Sequence, residues 1–157
     1  MSNSSQPLRL VFATQSIGVK LFWRLYKAIG EKAKVGKCGF FVTNRHEFTV
    51  FEKAEPAFNQ AALDVLMEWD LLDKASEIAQ PDLDMIDEWE RRLGDSSLWN
   101  ALIIDRRMGF PLKSQFRQCY APAYPHETLL KILEVALQEI AAQLDRVQPH
   151  AILGLNS

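Results

Sequence analysis

A strand pattern that hands over to a helix pattern and then returns to strand, near the start of the chain, constrains the fold more than any other feature of the sequence. Leu8-Arg-Leu-Val-Phe-Ala13 is dense in strand formers and stops at the polar turn Thr14-Gln15-Ser16, where Ser16 suits a helix N-cap. The next segment has a 3.6-residue period, with Ile17, Leu21, Leu25, Ala28 and Ile29 on one stripe and Lys20, Arg24, Lys27 and Glu31 opposite. This spacing predicts a helix with the first set turned to the core. Residues 35–43, which include Cys38-Gly-Phe-Phe-Val-Thr43, follow as a near-continuous apolar run of the kind a strand shows when helices cover both faces.

The rest of the chain continues the alternation. Residues 47–58 are mixed, and a short helix is expected there, interrupted at Pro56, which cannot donate a backbone hydrogen bond. Residues 63–69 fit strand or helix by periodicity, and a β-α-β-α-β order favours strand. Residues 82–108 read as two helices broken at Gly94-Asp95 and restarted by Ser96 or Ser97. A loop carrying Pro111, Pro122 and Pro125 comes next. A long helix over 126–147 then aligns Leu129, Leu133, Ala136, Leu137, Ile140 and Leu144 before Gln148-Pro149 and a last strand, His150-Ala-Ile-Leu-Gly-Leu-Asn156. The expected fold is α/β: a Rossmann-like three-layer domain with a mostly parallel sheet, right-handed crossovers, and extra helices before the last strand. Residues 1–7 are expected to be a disordered leader and 8–157 a single domain, since 157 residues suit one hydrophobic core. Ligands of open α/β sheets sit beyond the carboxyl ends of the strands. A final strand that stops at Asn156 and Ser157 therefore predicts half of a site, in a domain truncated from a larger two-domain protein.

Composition narrows the function classes. The net charge of −2 lacks the basic excess that broad attraction to nucleic acid requires, so no nucleic-acid partner is expected. Cys38 and Cys119 do not form a CxxC pair, which argues against a zinc site or a disulfide framework and points to a reducing cytoplasm, with peripheral attachment at the inner membrane left open. The N-terminus has no signal-peptide pattern, and no apolar run approaches the ~20 residues of a transmembrane segment. The acidic run Asp82, Asp84, Asp87, Glu88 and Glu90 reads as a solvated helix face, so no metal is assigned. Trp23, Trp69, Trp89 and Trp99 are not interleaved with basic residues and read as core or domain-interface groups. Nucleophile-elbow and P-loop patterns are missing from the sequence.

Three places carry candidate chemistry. Thr14, Gln15 and Ser16 precede a helix whose free N–H groups suit an anion or a sugar hydroxyl, although GxGxxG is absent and helix capping alone also accounts for Ser16. Asn44-Arg45-His46 falls at the carboxyl end of the second strand, on the same rim; Arg45 offers five donors and His46 a proton-transfer group, against the plain alternative of an exposed loop with helix-starting Asn44. In Leu98-Trp99-Asn-Ala-Leu-Ile-Ile-Asp105-Arg106-Arg107, Asp105 lies within about 20° of Leu98 and Arg106 within about 40° of Leu102 at ~100° per residue. Charges on an apolar stripe demand partners, either a ligand or a structural network.

The strand of residues 8–13, Phe40-Phe-Val-Thr-Asn-Arg45, Leu98-Trp99 with Asp105-Arg106-Arg107, Tyr120 and Tyr124 with Glu127, and Gln148-Pro-His-Ala-Ile-Leu153 together resemble the N-terminal half of bacterial surface-carbohydrate and capsular-polysaccharide biosynthesis proteins of the GT-B glycosyltransferase-like architecture. The resemblance implies an acceptor-side domain whose partners are a missing C-terminal domain and a carbohydrate acceptor. It also implies a nucleotide sugar held by the full-length protein, with no cofactor bound by this domain. The turn at Thr14 lacks the fuller glycine-rich loop of that family. On this reading Asp105 or His46 is the base, Thr14, Gln15, Ser16, Asn44, Arg45, Arg106 and Asn156 bind substrate, and the isolated chain is not expected to turn over. A noncatalytic flavodoxin-like binding or interaction module, and a nucleotide-sugar epimerase or hydrolase of the same architecture, are the alternatives.

Overall fold

A computed structural model describes residues 6–14, 18–94, 97–104, 109–111, 120–122 and 124–154. The elements are β1 (Leu8–Thr14), α1 (Gly18–Gly30), β2 (Val35–Val42), α2 (Arg45–Ala54), α3 (Pro56–Gln60), β3 (Leu63–Met67), α4 (Glu68–Glu77), α5 (Leu83–Arg92), α6 (Leu98–Ile104), β4 (Gly109–Pro111), β5 (Tyr120–Pro122), α7 (His126–Val147) and β6 (Ala151–Gly154). They divide into two compact units, Met1–Asp70 with Ile140–Ser157, and Leu71–Glu139.

The first unit holds a four-stranded sheet in the order β3-β2-β1-β6, parallel at every pairing. This is the expected Rossmann-like α/β arrangement, with helices on both faces of the sheet. Alternation along the strands separates those faces. Leu10 and Phe12 of β1 and Cys38, Phe40 and Val42 of β2 point to one face, where they are buried with Val19, Phe22 and Trp23 of α1, Phe48 and Phe51 of α2, and Phe58 of α3. Most of that core is aromatic. Phe58 stands edge-on to Trp23, Phe40, Phe48 and Phe51 at centroid distances of 5.3, 5.2, 5.7 and 5.1 Å, the T-shaped geometry that ring quadrupoles favour. Pro56 makes this placement possible. It sits in the first turn of α3, where no N–H is needed, so the predicted interruption becomes a division into two helices.

The predicted core stripe of α1 holds only at Ile29, which packs against the core; Ile17 lies outside the described residues. Leu21 is 52 % and Leu25 38 % exposed, whereas Val19, Phe22 and Trp23 are buried. The helix has two apolar stripes on roughly opposite sides, and the aromatic one wins because it removes more apolar surface from water. Its buried indole is satisfied: Trp23 Nε1 donates to Glu55 Oε2 at 3.1 Å.

The opposite face is covered by the last turns of α7 through polar chemistry. Gly39 has no side chain, and a Cβ there would come within 3.1 Å of Val11 Cγ2, 3.3 Å of Val147 Cγ2 and 3.4 Å of Gln143 Nε2. Buried Gln143 enters that space and donates from Nε2 to Asp64 O at 2.9 Å, Asp64 Oδ1 at 3.2 Å and Phe40 O at 3.3 Å. One turn on, Arg146 grips Asp64 with two bonds, Nε to Oδ2 at 2.6 Å and Nη2 to Oδ1 at 3.0 Å. Gln148, at φ 46°, ends the helix, and Pro149 follows. The chain then enters β6, where His150 N donates to Arg9 O at 2.8 Å.

In the second unit, Asp82 N-caps α5 by accepting from Met85 N at 3.0 Å, while its own N–H donates to Glu134 Oε2 at 2.8 Å. Gly94, at φ 80°, follows the end of α5. Glu90 Oε1 accepts from Leu98 N at 2.7 Å and Ser97 Oγ from Asn100 N at 3.2 Å, so the restart predicted at a serine falls at Ser97. Two members of the acidic run, Asp82 and Glu90, thus complete helix termini. The expected proline loop instead contains the antiparallel pair β4-β5. Helix α4, not anticipated from the sequence, begins directly after β3. Of the predicted α7 face, Leu129 and Leu133 are buried and Ile140 is exposed.

Two variants test the two faces. Phe58→Ala should destabilise the chain by about 3–5 kcal/mol in urea titrations, the usual cost of deleting a buried aromatic ring. The Asp64 carboxyl is held below its ordinary value by the Arg146 hydrogen bonds first, with burial opposing and Gln143 assisting. Its stabilisation is therefore complete above about pH 4 and is lost as pH falls through the lowered value. Asp64→Asn should cost about 1–3 kcal/mol at neutral pH and flatten the loss of stability below about pH 4.

Candidate functional site

The carboxyl ends of the strands form one rim: β1 ends at Thr14, β2 at Val42, β3 at Met67 and β6 at Gly154. Helix α1, which leaves β1, packs on the aromatic face, whereas α7, which leads into β6, packs on the other. A sheet whose connections diverge to opposite faces between two neighbouring strands has its switch point there, and a crevice opens at their carboxyl ends. Gln15, Ser16 and Asn156 follow β1 and β6 in sequence and lie outside the described residues, as do Asp105, Arg106 and Arg107. The described part of the rim is therefore built by the ends of β1, β2, β3 and β6 and by the helices that follow the first three.

Two threonines lace the rim between β1 and β2. Thr14 is buried, with Oγ1 donating to Phe41 O at 2.9 Å, and Thr43 Oγ1 donates to Thr14 O at 3.1 Å. The Thr14 hydroxyl is thus engaged within the sheet. Asn44 has extended backbone, φ −120° and ψ 102°, and its Oδ1 accepts from Glu47 N at 3.0 Å, so it N-caps α2. This leaves the side-chain amide N–H groups of Asn44 as its remaining donors. Arg45 and His46 form the exposed first turn of α2. The Arg45 guanidinium lies 5.9 Å from the centre of the Trp69 ring, and Trp69 packs on Phe48 at 5.8 Å.

The structure thus brings together Thr14, Asn44, Arg45 and His46, and adds two residues that were not singled out for the rim. Thr43 precedes the capping asparagine. Trp69 follows β3 by two positions, so its place at a strand end was the available signal once β3 ended at Met67. Beside the rim, α1 and α2 enclose a groove of about 380 Å³ lined by Val19, Lys20, Arg24, Glu47, Val50 and Phe51, among others. Its walls combine charged groups with apolar surface.

Other titratable groups belong to the core. Burial pushes the Cys38 thiol up to about 12, so it stays protonated and is not a nucleophile at neutral pH. Glu55 is held below the usual carboxylate range by the Trp23 indole hydrogen bond and then by Lys27, with burial opposing, and serves the core rather than the rim. Among the described residues no cluster of His, Cys, Asp and Glu could hold a metal ion, and no helix is long and apolar enough to cross a membrane.

Compared with known proteins, the chain matches no family model, no curated protein and no solved structure.

The cap can be tested directly. Asn44→Ala should cost about 1 kcal/mol in chemical denaturation, and Asn44→Asp, which keeps the acceptor, should recover most of that loss.

Proposed function

We propose that this chain is the acceptor-side domain of a glycosyltransferase-like protein and that it receives a carbohydrate acceptor at the carboxyl rim of its sheet. The observation that carries the reading is the all-parallel order β3-β2-β1-β6, because the crevice of such a sheet lies between β1 and β6, one strand away from the β2 end that carries Asn44, Arg45 and His46. Sugar recognition needs hydrogen-bond donors and acceptors together with a flat apolar surface for the ring C–H face. The Asn44 amide and the Arg45 guanidinium supply the first, and the Trp69 ring, already in contact with Arg45, supplies the second.

In the transfer reaction an acceptor hydroxyl loses its proton while its oxygen bonds to the donor sugar and the diphosphate leaves. His46, exposed in the first turn of α2, is the described residue suited to take that proton, and Arg45 is the cation beside it. The nucleotide sugar belongs to a second domain in this reading.

An amide-resolved NMR titration of the full chain with a panel of neutral and acidic oligosaccharides tests the proposal. Saturable shifts should cluster at residues 43–46, 69 and 154. Arg45→Ala and Trp69→Ala should each weaken binding about tenfold or more, equivalent to about 1.4 kcal/mol. Shifts centred elsewhere, or no response to any sugar, would refute it.

A further inference from the structure

We infer that the amino end of the same sheet holds a second site, a cleft that takes a phosphate-type oxyanion between Arg9 and Lys37. It lies at the opposite end of the strands from the carboxyl rim and does not rest on the glycosyltransferase reading.

The first observation is a slip in strand pairing. Leu8 pairs with Val35 but Leu10 pairs with Cys38, so Gly36 and Lys37 together stand opposite Arg9. Bulges are rare between parallel strands and tend to re-aim side chains beside functional sites. The approach here is close: a Cβ on Gly36 would lie 3.0 Å from Pro7 Cβ, tighter than side chains usually pack. Lys37 is exposed and turned toward the end of α7, where its Nζ donates to Arg146 O at 3.0 Å. That bond uses one of the three ammonium donors.

The second observation is a cleft of about 490 Å³, walled by Gln6, Arg9, Gly36, Lys37, Asp145 and Arg146, among others. Its cations are unevenly matched. Arg146 is committed to Asp64, which lies outside the cleft wall, and Asp145 is exposed to solvent. Among the described residues neither Arg9 nor Lys37 forms an ion pair.

The third is the state of Arg9. Its backbone N–H donates to His150 Nδ1 at 3.2 Å, while its Nη2 stands 3.2 Å from Nε2 of the same ring. A neutral imidazole has a single acceptor nitrogen. In any one tautomer the ring therefore serves at most one of the two Arg9 groups as acceptor. Arg9 Nε is buried and has no partner. A guanidinium held in the wall of a cleft, with no carboxylate partner among the described residues, keeps its charge and spare Nη donors for an oxyanion, and Lys37 on the neighbouring strand supplies the second positive group.

Titrating the full chain with inorganic phosphate at constant ionic strength, against chloride, should give saturable amide shifts at residues 9, 36, 37 and 148. Parallel titrations with a sugar phosphate and a nucleoside monophosphate identify what bears the group, as the tightest of the three. Lys37→Gln, an exposed replacement, should weaken phosphate binding tenfold or more with unchanged thermal stability, and Arg9→Gln should do the same if it folds. Absence of saturable shifts in the native chain, or equal affinity in Lys37→Gln, would overturn the inference.

Discussion

The polar clamp between α7 and the sheet is the interaction on which the first unit depends. A parallel sheet needs cover on both faces, since an exposed apolar face carries a standing cost in water. On the aromatic side, α1, α2 and α3 supply that cover with rings. On the other side the last turns of α7 lie against β2 and β3. That end carries Gln143, whose buried amide must find acceptors or cost about 1–3 kcal/mol. The acceptors are Asp64 on the edge strand β3 and Phe40 on its neighbour β2, reachable because Gly39 leaves room. Gln143 and Arg146 converge on Asp64 from successive turns, which fixes both the register and the rotation of the helix over β2 and β3.

Once α7 is seated, the position of β6 follows. The left-handed residue Gln148 and Pro149 turn the chain, and the paired bonds between Arg9 and His150 dock the start of β6 beside β1. The switch point at the carboxyl rim is therefore a consequence of a contact near the middle and the amino end of the sheet. The two faces also differ in tolerance. Hydrophobic rings attract without direction and can repack, whereas the amide and carboxylate are satisfied in one geometry.

Much of this was legible because period and composition act locally. The strand at 8–13 follows from its strand-forming residues, the strand around Phe40 from a continuous apolar run, and the helices after residue 17 and over 126–147 from 3.6-residue spacing. So does Asn44 as a helix-starting residue, because its cap is a bond to the amide three positions on. The orientation of α1 was not legible. Its two apolar stripes, Leu21 with Leu25 and Val19 with Phe22 and Trp23, both have helical period, and only the presence of Phe12, Phe40 and Phe58 on one side decides between them. Helix α4 was hidden because it begins without a break where β3 ends, so that one apolar run carries both. Trp69 was hidden at the rim for the same reason: its role depends on where a strand stops.

The sequence by itself determined the types of β1, α1, β2, α7 and β6, the α/β alternation they make, and the group of polar residues at the end of β2. These depend on bonds and periodicities spanning a few positions. Tertiary structure alone decided the strand order, the face each helix covers, the partnership of Asp64 with Gln143 and Arg146, and the meeting of Arg45 with Trp69. Residues 64 and 146 are drawn together by a buried amide and a missing Cβ, and no local pattern in the chain encodes a pairing made across such a separation.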